Sequence, residues 1–397
     1  MTMERALNFA WPVTAMAYED YRHLSDLMTE KAELFAARPL TVFGAGIRGS
    51  LFAAILEKLG YNDFSFVDNN RSKWGGFINA HPIEPPETLS AKKGRNVVII
   101  STEDCDGIRR QLTAEGWREN YDFFAVQTRE YDNYVDEFAK SDPVDCLVMG
   151  DCGLSQISLR DRLTDSLGVM LQKELGQERT KVLAMHGMGM RSYYNIFKWQ
   201  LEAGLRPSTL LMMVNFEIFT GRHHLLPRTQ HAPLFQKISA LDADHPEKET
   251  YARLTEERSR ELIADVASAS AADGDNARLV LKMNYMYRLR EGSEDLEYMA
   301  KLFALARENS VRVIPFIPPV NHVYAAGICG PEFMNRYQAN LEKMKGLISQ
   351  HSGLEVLDLS FILGDDGFAN PTTIDETANH DGRTIVLRHM LDRLRRA

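Results

Sequence analysis

The sequence predicts an α/β protein of two domains, and three observations lead there. Its 397 residues exceed what one ordinary domain holds. From residue 40 onward, short apolar runs alternate with helix-period segments, the order expected of parallel sheets with helical crossovers. The alternation pauses over residues 129–142, a charged stretch ending in Ser141-Asp142-Pro143, and resumes at Val144. Hydrophobic content of 44% and charged content of 25% are ordinary for globular chains. A net charge of −9 argues against a general nucleic-acid binder. No apolar run is long enough to span a membrane. Residues 1–11 lack the basic start and apolar core of a signal peptide. The cysteines Cys105, Cys146, Cys152 and Cys329 are scattered without metal-type pairing, so a reduced, cytoplasmic protein with no metal site is expected.

Residues 1–37 read as a helical segment with Tyr21, Leu24, Leu27 and Met28 as its apolar positions, broken by Arg38-Pro39. The first domain spans residues 38–128. It opens with the strand Leu40-Thr41-Val42-Phe43, which enters Gly44-Ala45-Gly46-Ile47-Arg48-Gly49 and then a helix over residues 51–59 that stops at Gly60. Phe64-Ser65-Phe66-Val67 is a second strand ending in Asp68, residues 96–100 a third, and the sheet closes near Phe124-Ala125-Val126. Residues 129–142 read as a linker helix. In the second domain, residues 143–397, strands are expected over 146–149, 181–185, 209–214, 311–317 and 354–357. Residues 221–300 read as a helical insertion over the sheet edge, with helical patterns over 251–271 and 295–307. His223, His224 and His231 lack a thiol or carboxylate to complete a metal set, which makes them loop residues.

Gly44, Gly46 and Gly49 form a dinucleotide-type fingerprint between a strand and a helix. The first glycine permits a tight turn, the second lets a phosphate approach the backbone, and the third lets helix and strand pack closely. Asp68, at the end of the next strand, stands where an acid bonds ribose hydroxyls. These four residues are the candidate nucleotide-binding set; a turn kept only for its fold is the alternative. No dehydrogenase-type second domain follows, which speaks against hydride chemistry. Together with Phe66-Val67-Asp68-Asn69-Asn70, Lys73-Trp74-Gly75 and Pro82-Ile83-Glu84-Pro85-Pro86, the stretch resembles the N-terminal Rossmann-like domain of sugar acetyltransferases in surface-polysaccharide synthesis. The resemblance implies a Rossmann-like parallel sheet and a nucleotide or nucleotide-sugar ligand, or a docking module in fused proteins.

Cys146-Leu147-Val148-Met149 leads into Gly150-Asp151-Cys152-Gly153, followed by Ile157, Leu163, Leu167 and Leu171 at helical spacing. A strand, a tight turn and a helix would expose Cys152 at a strand's carboxyl end and push its thiol toward thiolate. Gly187 to Gly189 follow the next strand and Asn215 the one after. Ile374-Asp375-Glu376-Thr377-Ala378-Asn379-His380-Asp381-Gly382 places an imidazole among carboxylates before the last helix. In this order the blocks resemble those of the SGNH/GDSL hydrolase and acyltransferase superfamily, with cysteine in place of the nucleophilic serine. Ile317-Pro318-Pro319-Val320-Asn321 is similar to the D-alanyl transfer proteins of that fold, and the cysteine turn is similar to that of capsule acyltransferases.

The superfamily resemblance implies a flavodoxin-like three-layer α/β/α fold and acyl chemistry through a covalent intermediate. Cys152 is then the nucleophile and His380 the base, kept neutral by the helix N-terminus. The N–H of Cys152, that of Gly189 or Gly187, and the Asn215 amide are the oxyanion donors. Thr377 stands where the family keeps its acid, so Asp375 is the nearby candidate to orient His380, with Glu376 or a backbone carbonyl as alternatives. The implied function is that of an acyltransferase or esterase acting on a glycan precursor or other small acyl ester, with no cofactor for the acyl step. The alternative is a non-catalytic binding module on a retained turn. Ser155 is the alternative nucleophile. His186 reads as a packed histidine, Met185, Met188 and Met190 as core or pocket lining, and Tyr193 and Tyr194 as pocket or packing residues.

Overall fold

The computed structural model describes residues 15–102, 105–126, 144–184, 188–220, 278 and 281–396. They fall into two compact units, one within Leu7–Glu130 and one within Tyr131–Ala397. Both are α/β. Among the described residues, no helix is long and apolar enough to cross a membrane.

In the first unit, helices α1 (Tyr18–Glu30) and α2 (Ala32–Ala37) precede a six-stranded sheet. Its strands are β1 (Leu40–Phe43), β2 (Phe64–Val67), β3 (Phe77–Ile78), β4 (His81–Glu84), β5 (Val97–Ile100) and β6 (Phe123–Ala125). They lie in the order β3-β4-β2-β1-β5-β6. All pairs are parallel except β3 with β4. Every residue of β1 and β5 is buried, as in strands covered on both faces, which is why they read as near-continuous apolar runs, with Thr41 the one polar residue. The β3–β4 hairpin was not among the expected strands, because two-residue β3 and Pro82 in β4 give no alternation to read. Helix α3 (Ile47–Lys58) springs directly from Gly46, earlier than the apolar pattern indicates. Helix α4 (Asp106–Ala114) covers β5 and β6.

The second unit holds a five-stranded, wholly parallel sheet of β7 (Cys146–Gly150), β8 (Thr180–Ala184), β9 (Thr209–Met213), β10 (Arg312–Ile317) and β11 (Leu357–Asp358). The order is β8-β7-β9-β10-β11. Its helices are α5 (Leu167–Leu175), α6 (Met190–Glu202), α7 (Glu294–Glu308), α8 (His322–Cys329), α9 (Glu332–Ser352) and α10 (Gly382–Arg396). Side chains alternate along the strands and divide the core in two. Leu147, Met149, Leu210 and Met212 pack with residues of α6, α7 and α9. Cys146, Val148, Leu211 and Met213 pack with residues of α5 and α10. Helices therefore cover both faces.

The first strand of this unit, β7, lies between the second and the third. Helix α5 after β7 and helix α6 after β8 lie on opposite faces of the sheet, so the strand order reverses beside β7, and the carboxyl ends of β7 and β9 are the usual place for a ligand in such a sheet.

Three local expectations change. Residues 152–171 are not one helix. Cys152–Ser155 is a single helical turn, Gln156–Ser158 is extended, and α5 begins only at Leu167, capped by Ser166 whose Oγ accepts from Val169 N–H at 3.4 Å. Leu163, an apolar position of the helical reading, is instead exposed. The charged stretch read as an insertion to residue 300 ends inside the fold, because α7 buries Leu296, Met299, Leu302 and Phe303 against the sheet. Apart from buried Asp295, which accepts the Met190 N–H at 3.3 Å, its charged residues lie away from that core. The linker helix at 129–142, the helix at 251–271 and the loop histidines 223, 224 and 231 lie outside the described residues.

Candidate functional site

The turn after β7 is organised by Asp151, which is fully buried. One carboxylate oxygen accepts the N–H of Gly153 at 2.8 Å, capping the Cys152–Ser155 turn. The other accepts an amide N–H of Asn215, just beyond β9, at 2.7 Å. Asp151 thus ties the β7 turn to the β9 turn at the carboxyl ends of the two strands. Asn215 Oδ1 accepts the N–H of Glu217 at 3.3 Å, which fixes the amide's orientation. Its second amide N–H has no partner among the described residues. Gly189 caps the N-terminus of α6 beyond the end of β8, on the other flank of β7. Cys152, Gly189 and Asn215 therefore follow three adjacent strands at one sheet edge. Gly187, Met185 and His186 lie outside the described residues. Met188 and Met190 are core residues. Ser155 Oγ donates back to the Cys152 carbonyl at 3.5 Å, turned into its own helical turn.

The thiol is not poised as a thiolate. Burial, Asp151 and Glu217 together hold Cys152 well above the ordinary thiol range, although the N–H groups of Cys152 and Gly153 pull the other way. The turn is too short to build an appreciable dipole, and two carboxylates outweigh two amides. Glu217 escaped the sequence reading. It is half-buried in the turn Phe216–Thr220 and accepts the Tyr285 hydroxyl at 2.7 Å. An acid two residues past Asn215, on the same turn, was the available signal.

His380 ends a tight turn closed by Thr377 N–H to the His380 carbonyl at 3.0 Å, two residues before α10. Its Nδ1 lies 3.3 Å from Asp366 Oδ2. The acid beside His380 is therefore Asp366, and the expectation for Asp375 is corrected. Asp375 is fully buried and paired with Arg160, because its N–H bonds the Gly367 carbonyl in a strand-like pairing that turns the side chain inward. Glu376 is equally engaged, accepting from Thr384 N–H at 3.0 Å and from its hydroxyl at 2.6 Å at the start of α10. The loop is anchored twice. A buried Arg383–Asp161 ion pair at 2.6 Å, with Glu376 N–H on Asp161 at 2.6 Å, fastens it to the segment that follows the Cys152 turn. Asn321, beyond β10, caps α8 and donates to Asp365 at 2.8 Å.

In the first unit, Gly44 has φ +113°, and a Cβ there would meet Thr102 Cγ2 at 2.8 Å. A Cβ on Gly49 would strike the Gly44 carbonyl oxygen at 2.1 Å, so α3 can pack on the turn only as glycine. Gly46 is exposed and a Cβ there would meet nothing within 4 Å, which leaves room for a phosphate. Asp68 departs from the ribose-binding expectation. Its Oδ2 accepts Ala45 N–H at 2.6 Å and pairs with Lys73 at 3.2 Å, and its Oδ1 accepts Asn70 N–H at 2.8 Å. A buried carboxylate takes the nearest donors, and here they belong to the turn itself. The turn fits a phosphate at Gly46, while Asp68 acts as its internal brace. Among the described residues, no cluster of His, Cys, Asp and Glu could hold a metal ion.

No family model matches this chain, and no curated protein matches it significantly.

Proposed function

We propose that the second unit is an SGNH-type acyl-transfer enzyme, an acyltransferase or esterase of glycan precursors that works through a thioester on Cys152. The observation that carries the reading is the Asp151 bridge. It holds the Cys152 turn and the Asn215 amide on either side of the switch point of a parallel sheet. The strand order, with the first strand between the second and third, is that of flavodoxin-like sheets and supports the same reading.

In this mechanism the Cys152 sulfur attacks the carbonyl carbon of the acyl donor and a C–S bond forms. The thiol proton passes to His380, oriented by Asp366. The carbonyl oxygen becomes an oxyanion that accepts from the Asn215 amide and from the N–H groups of Cys152 and Gly189. Collapse breaks the donor C–O bond, and His380 returns the proton to the departing alcohol. Water or a sugar hydroxyl then attacks the thioester, giving its proton to His380, and the thiol leaves with a proton. Because burial and the nearby charges of Asp151 and Glu217 raise the thiol, deprotonation is coupled to bound substrate rather than standing in the free enzyme.

The first unit, whose strand order matches one half of a Rossmann sheet, is proposed to hold the phosphate of a nucleotide or nucleotide sugar at Gly46. The free cysteines suit a reducing, cytoplasmic setting.

The second reading is a binding module, favoured by the protonated thiol. p-Nitrophenyl acetate with intact-mass detection separates the two. An acetyl adduct on the wild-type chain that is lost in Cys152→Ala supports the enzyme. Equal turnover in both proteins, with no adduct, overturns it.

A further inference from the structure

We infer that the Tyr193 hydroxyl is a further hydrogen-bond donor to the acyl carbonyl held at Cys152, carried to the site by the first turn of α6; the inference rests on the acyl-transfer reading above. Tyr193 is 0% exposed. Its hydroxyl has no hydrogen-bond partner among the described residues. A buried hydroxyl left unpaired costs about 1–3 kcal/mol, and phenylalanine would fill the same volume without that cost.

Its packing neighbours do not explain the oxygen. Tyr193 belongs to an apolar core cluster with Met149, Met188, Ile196 and Phe197. The other fully enclosed tyrosines of this cluster are each satisfied. Tyr285 donates to Glu217 at 2.7 Å, and Tyr337 bonds Ser360 at 3.2 Å. Half-buried Tyr287 donates to the Phe216 carbonyl at 2.8 Å. Tyr193 is the exception among these four.

Its place in the fold accounts for the exception. Ala184, the last residue of β8, pairs in register with Gly150, two residues before Cys152. Gly189 then caps α6, and Tyr193 follows within the first turn, its N–H on the Gly189 carbonyl at 3.1 Å. The helix start beside the nucleophile turn therefore combines backbone N–H groups with a buried phenol. Burial raises the phenol well above its ordinary range, and the charges of Asp151 and Cys152 act in the same direction. A hydroxyl in that state stays protonated and donates. The acceptor that arrives beside Cys152 is the ester carbonyl oxygen, which gains negative charge as the C–S bond forms.

The test compares wild type, Tyr193→Phe and Cys152→Ala by stopped-flow burst and intact mass, with p-nitrophenyl acetate as the probe. Tyr193→Phe is expected to keep or raise the melting temperature and to leave KM within about twofold, while the acylation rate falls about 100-fold. A purely structural tyrosine would shift the melting temperature and leave the rate alone. Acylation of Tyr193→Phe at the wild-type rate overturns this inference and leaves the acyl-transfer reading standing. A wild-type chain that never acquires an adduct on Cys152 overturns both.

Discussion

At the scale of single residues, the thiol is the instructive case. Cys152 sits on a strand-to-helix turn that suggests activation, yet burial, with the charges of Asp151 and Glu217 adding to it, raises its thiol well above the ordinary range. An anion beside a thiol disfavours the thiolate, so removing one must lower the thiol's pKa. Glu217→Gln is therefore expected to move the pH midpoint of iodoacetamide alkylation downward and to speed labelling at pH 8. Below the midpoint, the thiolate fraction grows about tenfold for every full pH step by which that midpoint falls. A midpoint that stays in place would show that Glu217 does not act on the sulfur. Cys146 serves as the internal reference, since burial pushes its thiol up to about 12. Rapid labelling at neutral pH is consequently not the mark of a functional Cys152 in the free protein. Asp366 teaches a related lesson. It meets His380 only because the loop between them folds back, and nothing in the local spacing marks it as the partner.

At the scale of elements, the glycine turn and the His380 loop show how the candidate site residues are held in place. Gly44 is required by φ +113° and by the 2.8 Å approach to Thr102. Gly44→Ala is expected to cost about 1–3 kcal/mol in urea unfolding. Gly46 has no such demand on its backbone or its surroundings. Gly46→Ala should leave stability within about 0.5 kcal/mol while weakening the binding of a nucleoside diphosphate followed by calorimetry. Binding that is undiminished in Gly46→Ala would remove the phosphate from this turn.

In the His380 loop, burial raises the Asp161 carboxyl even though Arg383 and two backbone N–H groups oppose it. Arg383→Met strands that carboxylate and should cost about 3–5 kcal/mol in the same assay. The double variant with Asp161→Asn should recover part of the loss. A single-variant cost below about 1 kcal/mol would mean the pair is solvated. Asp161 and Arg383 lie on segments far apart in the chain, so no motif announces their pairing.

At the scale of the whole molecule, a mixed sheet in one unit and a wholly parallel sheet in the other set the glycine turn and the Cys152 turn at strand carboxyl ends. Strands such as Leu40–Phe43, Val97–Ile100 and Cys146–Gly150 were legible because a strand buried on both faces is apolar along most of its length, a demand visible without context. The glycine turn and the residues that end β7 and β9 were legible for a similar reason, since tight turns restrict residue type locally. The core helix α7 was obscured by its charged outer side. What no local pattern held was the partnership of charges: Asp68 with Ala45, Asp375 with Arg160, Asp366 with His380, Asp151 with Asn215. Backbone preference and hydrophobic periodicity act between near neighbours and are written along the chain. Burial, desolvation and the choice of hydrogen-bond partner depend on which distant segments the fold brings into contact, and they are settled only once it has formed.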